Sequence, residues 1–561
     1  MRGERVAEVG DLREANAPRV IEAGGMCVTP GFIDTHTHSD MAAFLGDDHL
    51  DLKAATVRQG VTTEVCGNCG STPFPMLPER REDLARSKAI FAAEDGPWES
   101  LAEYREAVGA RGLHANLAPL LGHGSLRAGV MGMDNRVPRD DELQTMVRLA
   151  EAAFEQGAFG ISSGLIYAPG VYARTEELAA ICRAVSRHRR PYTTHMRNES
   201  DLVADSVREA LAIGEQGGVP VHISHHKAAG RRNWGRTAET LEIVRAARAA
   251  GRDVTVDVYP YTAGSTMLAA MLPPWALDGG FDAMRERMRD GVVRERIVRD
   301  MESGLPGWEN FSQLAGWDRI VISSCPSHPD YEGRRVHELA DEAGRTPADM
   351  VFDLLAEDAQ RTLMILHVMD DGDVRNVLGF EAAMVGSDGI PVPGKPHPRW
   401  AGTFARVLGH YRREEGLLDL AAWVHKTTGL AADRFGLHDR GYLQAGKVAD
   451  LVVFDADTIA DRATYEDPLL PPDGVREVFI NGRAAVSSGR LTSSGRCRRL
   501  EEKMPATSAV RWLWGRASSL CYVAMVWAGR VLPGQSLTSS DGAAAMDWGH
   551  WSSPRPGGWR I

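Results

Sequence analysis

Pro30-Gly31-Phe32-Ile33-Asp34-Thr35-His36-Thr37-His38 is the stretch that decides the fold class, because an apolar strand runs straight into two histidines one residue apart. Side chains alternate along a strand, so His36 and His38 project to the same side and can converge on one ion. Taken alone, the pair suits two packed imidazoles satisfied by backbone groups equally well. The rest of the chain has to decide between these readings.

Outward from this strand, short apolar runs alternate with helical patterns from about residue 28 to residue 437, the signature of βα repeats around a parallel sheet. Eight strands are expected, ending near Asp34, Cys66, Leu120, Ile161, Thr194, Ser224, Val258 and Gly386. Between them, Leu202, Val203, Val207, Ala210 and Leu211 recur at helical spacing before Gly217-Gly218, as do Leu241, Val244 and Ala247 before Gly251. The expected fold is α/β, a (β/α)8 TIM-like barrel over 28–437. More than a hundred residues separate the seventh strand from the eighth, including Pro273-Pro274-Trp275 and an apolar run at 319–323. That is too long for a simple connection and predicts a lid insertion over about 262–345. In it, Met267, Leu268, Met271, Leu272 and Trp275 could line a pocket or fill a core. From residue 438 to 495 the pattern becomes short strands and turns, with a hairpin at Asn481-Gly482, which predicts a small β-sandwich-like domain completed by residues 1–27. Residues 496–561 are rich in Trp, Arg, Ser, Gly and Pro without a period, and read as an irregular tail, disordered or frameshifted.

Composition narrows the function. The 561 residues carry 64 basic and 76 acidic side chains, a net −12 that repels a phosphate backbone and excludes a nucleic-acid binder. No apolar run reaches membrane-spanning length and no secretory signal follows Met1, so a cytoplasmic enzyme is expected. Seven irregularly spaced cysteines do not form a disulfide framework, and each thiol is judged for chemistry.

His195, His225 and Asp388 fall at the predicted C-terminal ends of the fifth, sixth and eighth strands, the face on which barrel enzymes place their chemistry. With His36 and His38 they form a His-x-His, His, His, Asp series on one rim, which packed core histidines have no reason to share. This points to a metal site.

The series resembles the motif of the amidohydrolase superfamily. Gly67-Asn68-Cys69-Gly70, Thr194-His195-Met196-Arg197-Asn198-Glu199, Ser224-His225-His226-Lys227, Asp257-Val258-Tyr259-Pro260-Tyr261 and His397-Pro398-Arg399 narrow the resemblance to its D-aminoacylase branch, over nearly all of residues 3 to 490. The resemblance implies a tightly held zinc on Cys69, His195 and His225. It also implies a weaker or empty second position near His36 and His38, with Asp388 beside it as the acid/base residue, and a substrate carboxylate held by Lys227, Tyr259 and Arg399. A thiolate favours zinc over magnesium, zinc makes water available as a nucleophile near neutral pH, and two cations with a phenol suit a carboxylate. Cys66, three residues before Cys69, has no second pair to complete a four-cysteine site and is expected to be packed.

The implied reaction is hydrolysis of N-acyl-D-amino acids to a carboxylate and a free D-amino acid. Its substrates are small molecules with a free carboxylate, and no nucleic acid or membrane partner is expected. A cyclic-amide hydrolase of the dihydroorotase or hydantoinase kind is the neighbouring alternative, weakened because Ile161-Ser162-Ser163-Gly164 offers no lysine to bridge two metals. A non-catalytic barrel scaffold is the alternative from another class, and it would be expected to have lost ligands. Members of the branch begin with a longer N-terminal segment than precedes Val6-Ala7-Glu8-Val9-Gly10 here, so the small domain is expected to be truncated.

Overall fold

The computed structural model describes residues 1–12, 17, 19–80, 98–358 and 361–492; the tail expected over 496–561 lies outside the described residues. Its centre is parallel sheet. Phe32–Asp34, Val61–Cys66 and Asn116–Pro119 pair in that order, and Leu121–Gly122, Ile161–Gly164, Tyr192–His195, Val221–Ile223, Val254–Val258 and Ala383–Val385 form a second run of parallel neighbours. The two runs meet at Leu120, whose N–H donates to the Cys66 carbonyl while that of Leu121 donates to the Gly160 carbonyl. At the opposite margin the His38 N–H donates to the Gly389 carbonyl and the Asp388 N–H to that of His36.

These strands are buried on both faces, which is why they read as apolar runs and not as alternating ones. The helix Val203–Gly217 follows its pattern: Val203, Val207, Ala210 and Leu211 are buried, and Gly218 ends it at φ 66°. Leu202 stands just outside the helix and is exposed. Lys426, buried, donates to the carbonyls of Phe380 and Ala383, pinning the start of the last parallel strand.

Two further sheets flank this centre. Cys27–Pro30, Leu451–Phe454, Val475–Ile480, Arg483–Ser487 and Arg490–Leu491 make a five-stranded antiparallel sheet from both ends of the described chain. The Asn481-Gly482 turn has φ of 50° and 74°, the mirror-image turn that fits strand twist. Between the last two parallel strands, Gly264–Met267, Leu363–Leu366 and Ile320–Ser324 form an antiparallel sheet in that spatial order. Leu363–Leu366, beyond residue 345, is the middle strand of this sheet. Leu268, Met271 and Leu272 are buried in the main core, and Trp275 lies under the Arg296 guanidinium, 4.0 Å from its ring centroid. Of the five residues considered for a pocket, only Met267 lines the cavity described next.

Candidate active site

Parallel strands deliver their following loops to one side of the sheet, and the chemistry-bearing residues gather there. His36 and His38 follow Phe32–Asp34, Cys69 follows Val61–Cys66, and His195 closes Tyr192–His195. His225 and Lys227 follow Val221–Ile223, Tyr259 follows Val254–Val258, and Asp388 follows Ala383–Val385. The Cys69 sulfur lies 3.4 Å from His36 Nε2, 3.5 Å from His225 Nε2 and 3.9 Å from His195 Nδ1. Asp388 Oδ1 is 3.3 Å from His36 Nε2 and 3.2 Å from His38 Nε2. Ligand atoms of His36, Cys69, His225 and Asp388 all fall within 4.8 Å of one another, and those of His195, Glu199 and His225 meet the same limit.

Backbone strain is concentrated at this point. Cys69, His225 and Asp388 have φ of 52°, 37° and 52°, a region that costs a non-glycine residue roughly 1–3 kcal/mol and persists only where the surroundings enforce it. The enforcing contacts are visible. A Cβ at Gly164 would meet the Cys69 carbonyl oxygen at 2.2 Å, so two backbones pack directly at the cysteine. The His225 N–H donates to Asp257 Oδ1 at 2.5 Å, and Ser387, preceding Asp388, donates its N–H to Asp34 Oδ1 at 2.8 Å.

Buried charges orient the imidazoles. Lys227 Nζ is bonded to His225 Nδ1 at 2.7 Å, with Glu199 Oε1 2.9 Å from the same nitrogen, so that His225 Nε2 faces the cysteine, and Glu199 Oε2 accepts from Lys227 Nζ at 2.7 Å. Burial alone would raise the Cys69 thiol, but His36, His195 and His225 outweigh it and hold the sulfur well below the usual thiol range. Burial pushes Cys66 well above that range, and Asp40 and Glu64 add to the effect. Two thiols three residues apart are thus driven in opposite directions, one toward thiolate and one toward an inert packed group. Burial lowers His195, which favours the neutral, metal-binding imidazole. For His38 the pull of Asp388 and Cys69 overcomes burial and raises it to about 9. For Asp388, Arg399, His36 and His225 outweigh burial and hold the carboxyl well below its ordinary value.

A cavity of about 160 Å³ opens onto these residues, with His38, Cys69, His195, His225, Lys227, Tyr259 and Asp388 on its wall. Arg399 stands behind Asp388, its Nη1 3.0 Å from Oδ2, and its guanidinium lies 4.6 Å from the Tyr259 ring centroid. Lys227 Nζ is 5.8 Å from the same ring, so two cations lie close to the phenol.

The amidohydrolase family profile matches residues 19–486. The chain belongs to the amidohydrolase family. It is 40% identical over 485 residues to D-aminoacylase of Alcaligenes xylosoxydans xylosoxydans, spanning 86% of this chain and 89% of that protein. It is 38% identical over 486 residues to the N-acyl-D-glutamate deacylase of the same organism, spanning 86% and 88%. A crystal structure of N-acyl-D-glutamate deacylase from Bordetella bronchiseptica, complexed with zinc and a phosphonate mimic of the tetrahedral intermediate, superposes with a TM-score of 0.73 at 35% identity, covering 88% of this chain and 94% of that one.

In this amidohydrolase three further buried histidines are held by scaffold contacts. His123 Nε2 lies 2.9 Å from Glu177, His226 Nε2 lies 2.7 Å from Thr240, and His222 bridges Thr255 and Asp257 at 2.8 and 2.7 Å. Three carboxylates at the site escape the sequence reading. Asp257 ties His222 and the His225 backbone together. Glu199 stands four residues after His195, and that spacing was the available signal. Glu309 reaches the cavity from the insertion, where no local pattern marks it. No described helix is long and apolar enough to cross a membrane.

Proposed function

We propose that this amidohydrolase hydrolyses N-acyl-D-amino acids to a carboxylate and the free D-amino acid, with zinc as its ion. The observation that carries the reading is the convergence of Cys69, His195, His225, His38 and Asp388 on one cavity wall, with His36 3.4 Å from the Cys69 sulfur, in a chain 35–40% identical to D-aminoacylase and to the N-acyl-D-glutamate and N-acyl-D-aspartate deacylases over most of its length. The donor set fits zinc: one sulfur driven toward thiolate, imidazoles kept in place by buried carboxylates, and ligand atoms close enough to share an ion. Cys69, His195 and His225 would hold the tight position, and His36 and His38, with Asp388 beside them, a weaker second one. Zinc bound there supplies Lewis acidity and lets water ionise near neutral pH.

The chain's own residues account for the rest. Asp388, ionised and bracketed by His36, His38 and Arg399, accepts the proton of the attacking water at Oδ1 and returns it to the departing amine nitrogen. Lys227, Tyr259 and Arg399 hold the substrate carboxylate. Among the described residues Tyr259 donates only to the Met369 sulfur, at 3.3 Å, a weak acceptor that a carboxylate readily displaces. Arg399 Nε is buried without a hydrogen-bond partner among the described residues, leaving a donor for the same purpose.

The parallel strands, joined at Leu120 and between His38 and Gly389, are best described as the closed (β/α)8 barrel expected over 28–437. The antiparallel sheet around Gly264–Met267 is then its lid, and the five-stranded sheet its small β domain, whose first strand Cys27–Pro30 carries the boundary past the expected residue 27 and whose other strands lie within the expected 438–495. The reading is tested by stripping the purified protein with a chelator and assaying N-acetyl-D-leucine before and after zinc is returned. Activity that disappears and comes back with zinc supports it; activity indifferent to the chelator, in a protein shown to be metal-free, contradicts it.

A further inference from the structure

One buried carboxylate aligns three functional groups at once. In His225 and His195 alike, the ring nitrogen turned away from the Cys69 sulfur faces Glu199: His225 Nδ1 lies 2.9 Å from Oε1, and His195 Nε2 lies 3.4 Å from Oε2. Lys227 Nζ donates to the same Oε2 at 2.7 Å. A carboxylate behind an imidazole fixes how the ring is turned and which nitrogen is left for a metal, so a shift of Glu199 moves both histidines and the lysine together.

Two backbone hydrogen bonds hold Glu199 itself. Its carbonyl accepts from the Ala229 N–H at 2.7 Å, on the loop that carries His225 and Lys227. Its N–H donates at 3.2 Å to Oε2 of Glu309, which comes from the chain between the last two parallel strands, 110 residues further along. Glu309 is 3% exposed, and its Oε1 has no partner, so among the described residues the Glu199 N–H is the one group its carboxyl bonds. The backbone beneath it is anchored. The next residue, Asn310, caps the helix Phe311–Ala315 and donates its amide to the Met301 carbonyl at 2.7 Å.

Resting on the zinc deacylase reading above, we propose that Glu309 is a positioning residue: through the Glu199 backbone it sets the two imidazoles for zinc and Lys227 for the substrate carboxylate, although it bonds to none of the three. Without its oxygen the Glu199 N–H is left buried and unpaired, and the turn must move to satisfy it. Burial raises the Glu309 carboxyl to about 8, so near neutral pH the acceptor is the oxygen of an uncharged acid, for which an amide oxygen is a close substitute.

The test titrates zinc into the metal-free full chain against a chromophoric chelator, in wild type, Glu309→Met, Glu309→Gln and Val336→Ala. The last loosens packing at a buried residue elsewhere in the same segment. Glu309→Met keeps the length and loses the acceptor. It is expected to weaken zinc at least about 10-fold and, with zinc saturating, to raise KM for N-acetyl-D-leucine several-fold. Glu309→Gln should return both to near wild type, and Val336→Ala should lower the melting temperature with zinc affinity unchanged. Should the Met variant not fold, Glu309→Asp, whose carboxyl is one methylene short of the Glu199 N–H, takes its place. Zinc affinity that is unchanged in the folded variant, unrestored by Gln, or lost equally in Val336→Ala overturns the role. A wild type that binds no zinc overturns the metal site and this role with it. A wild type that binds zinc yet hydrolyses no N-acetyl-D-leucine overturns the deacylase reading, while the zinc comparison still decides for Glu309.

Discussion

Cys69 and His225 meet sulfur to nitrogen at 3.5 Å across the mouth of the parallel sheet, each on a left-handed backbone that only its surroundings sustain. Neither geometry serves packing alone, and both position a donor atom toward the same point.

Removal of that sulfur separates the two neighbouring thiols. Cys69→Ala should lose most bound zinc and most activity, whereas Cys66→Ala, which removes a packed and strongly protonated thiol, should keep both. Zinc content by elemental analysis is the check, and near-equal loss in the two variants would mean the ligand assignment is wrong.

Lys227 and Glu199 form a buried pair at 2.7 Å. Lys227→Met strands the carboxylate and should cost roughly 3–5 kcal/mol of stability. The double variant Lys227→Met/Glu199→Gln should recover much of that loss in chemical denaturation. It should still show a KM raised at least about 10-fold, because a charge-assisted hydrogen bond to the substrate carboxylate stays absent.

Glu142 opens the helix Asp140–Glu155 and accepts from Arg136 at 2.7 and 2.8 Å and from the Arg139 N–H at 2.8 Å. The Arg136 hydrogen bonds outweigh its partial burial and lower its carboxyl to about 2 from an ordinary 4.5. A folded value below the unfolded one means that the contribution is complete above about 4.5 and fades as pH falls toward 2. Glu142→Gln should therefore lower stability near neutrality by roughly 1–2 kcal/mol and flatten the acid limb of a Tm-versus-pH curve in that window. An unchanged limb would contradict this assignment.

Gly482 holds φ 74°, and a Cβ there would strike the Gly3 carbonyl at 2.1 Å. Gly482→Ala combines backbone strain with that clash and should cost roughly 1–3 kcal/mol, visible as a lower Tm with zinc affinity unchanged.

The sequence makes His36, His38, His195, His225 and Asp388 legible because each sits where an apolar strand ends, and strand ends on a parallel sheet share one side. Cys69 and the groups proposed for the carboxylate need the family resemblance, since a cysteine after a glycine turn or a single arginine carries no period. Leu363–Leu366 is a short apolar run that pattern alone does not separate from a buried helix segment, so its place in an antiparallel sheet is not legible. Glu309 stays hidden for a related reason: it is placed by the cap of the helix Phe311–Ala315, where Asn310 accepts the Gln313 N–H, and only the folded insertion brings it to the cavity.

The most direct measurement is hydrolysis of N-acetyl-D-leucine and N-acetyl-L-leucine by the zinc-loaded protein, with Asp388→Ala alongside. The account predicts turnover of the D enantiomer alone and its loss in the variant by at least about 100-fold. Turnover of the L enantiomer at a comparable rate, or an Asp388→Ala variant as active as wild type, would contradict it.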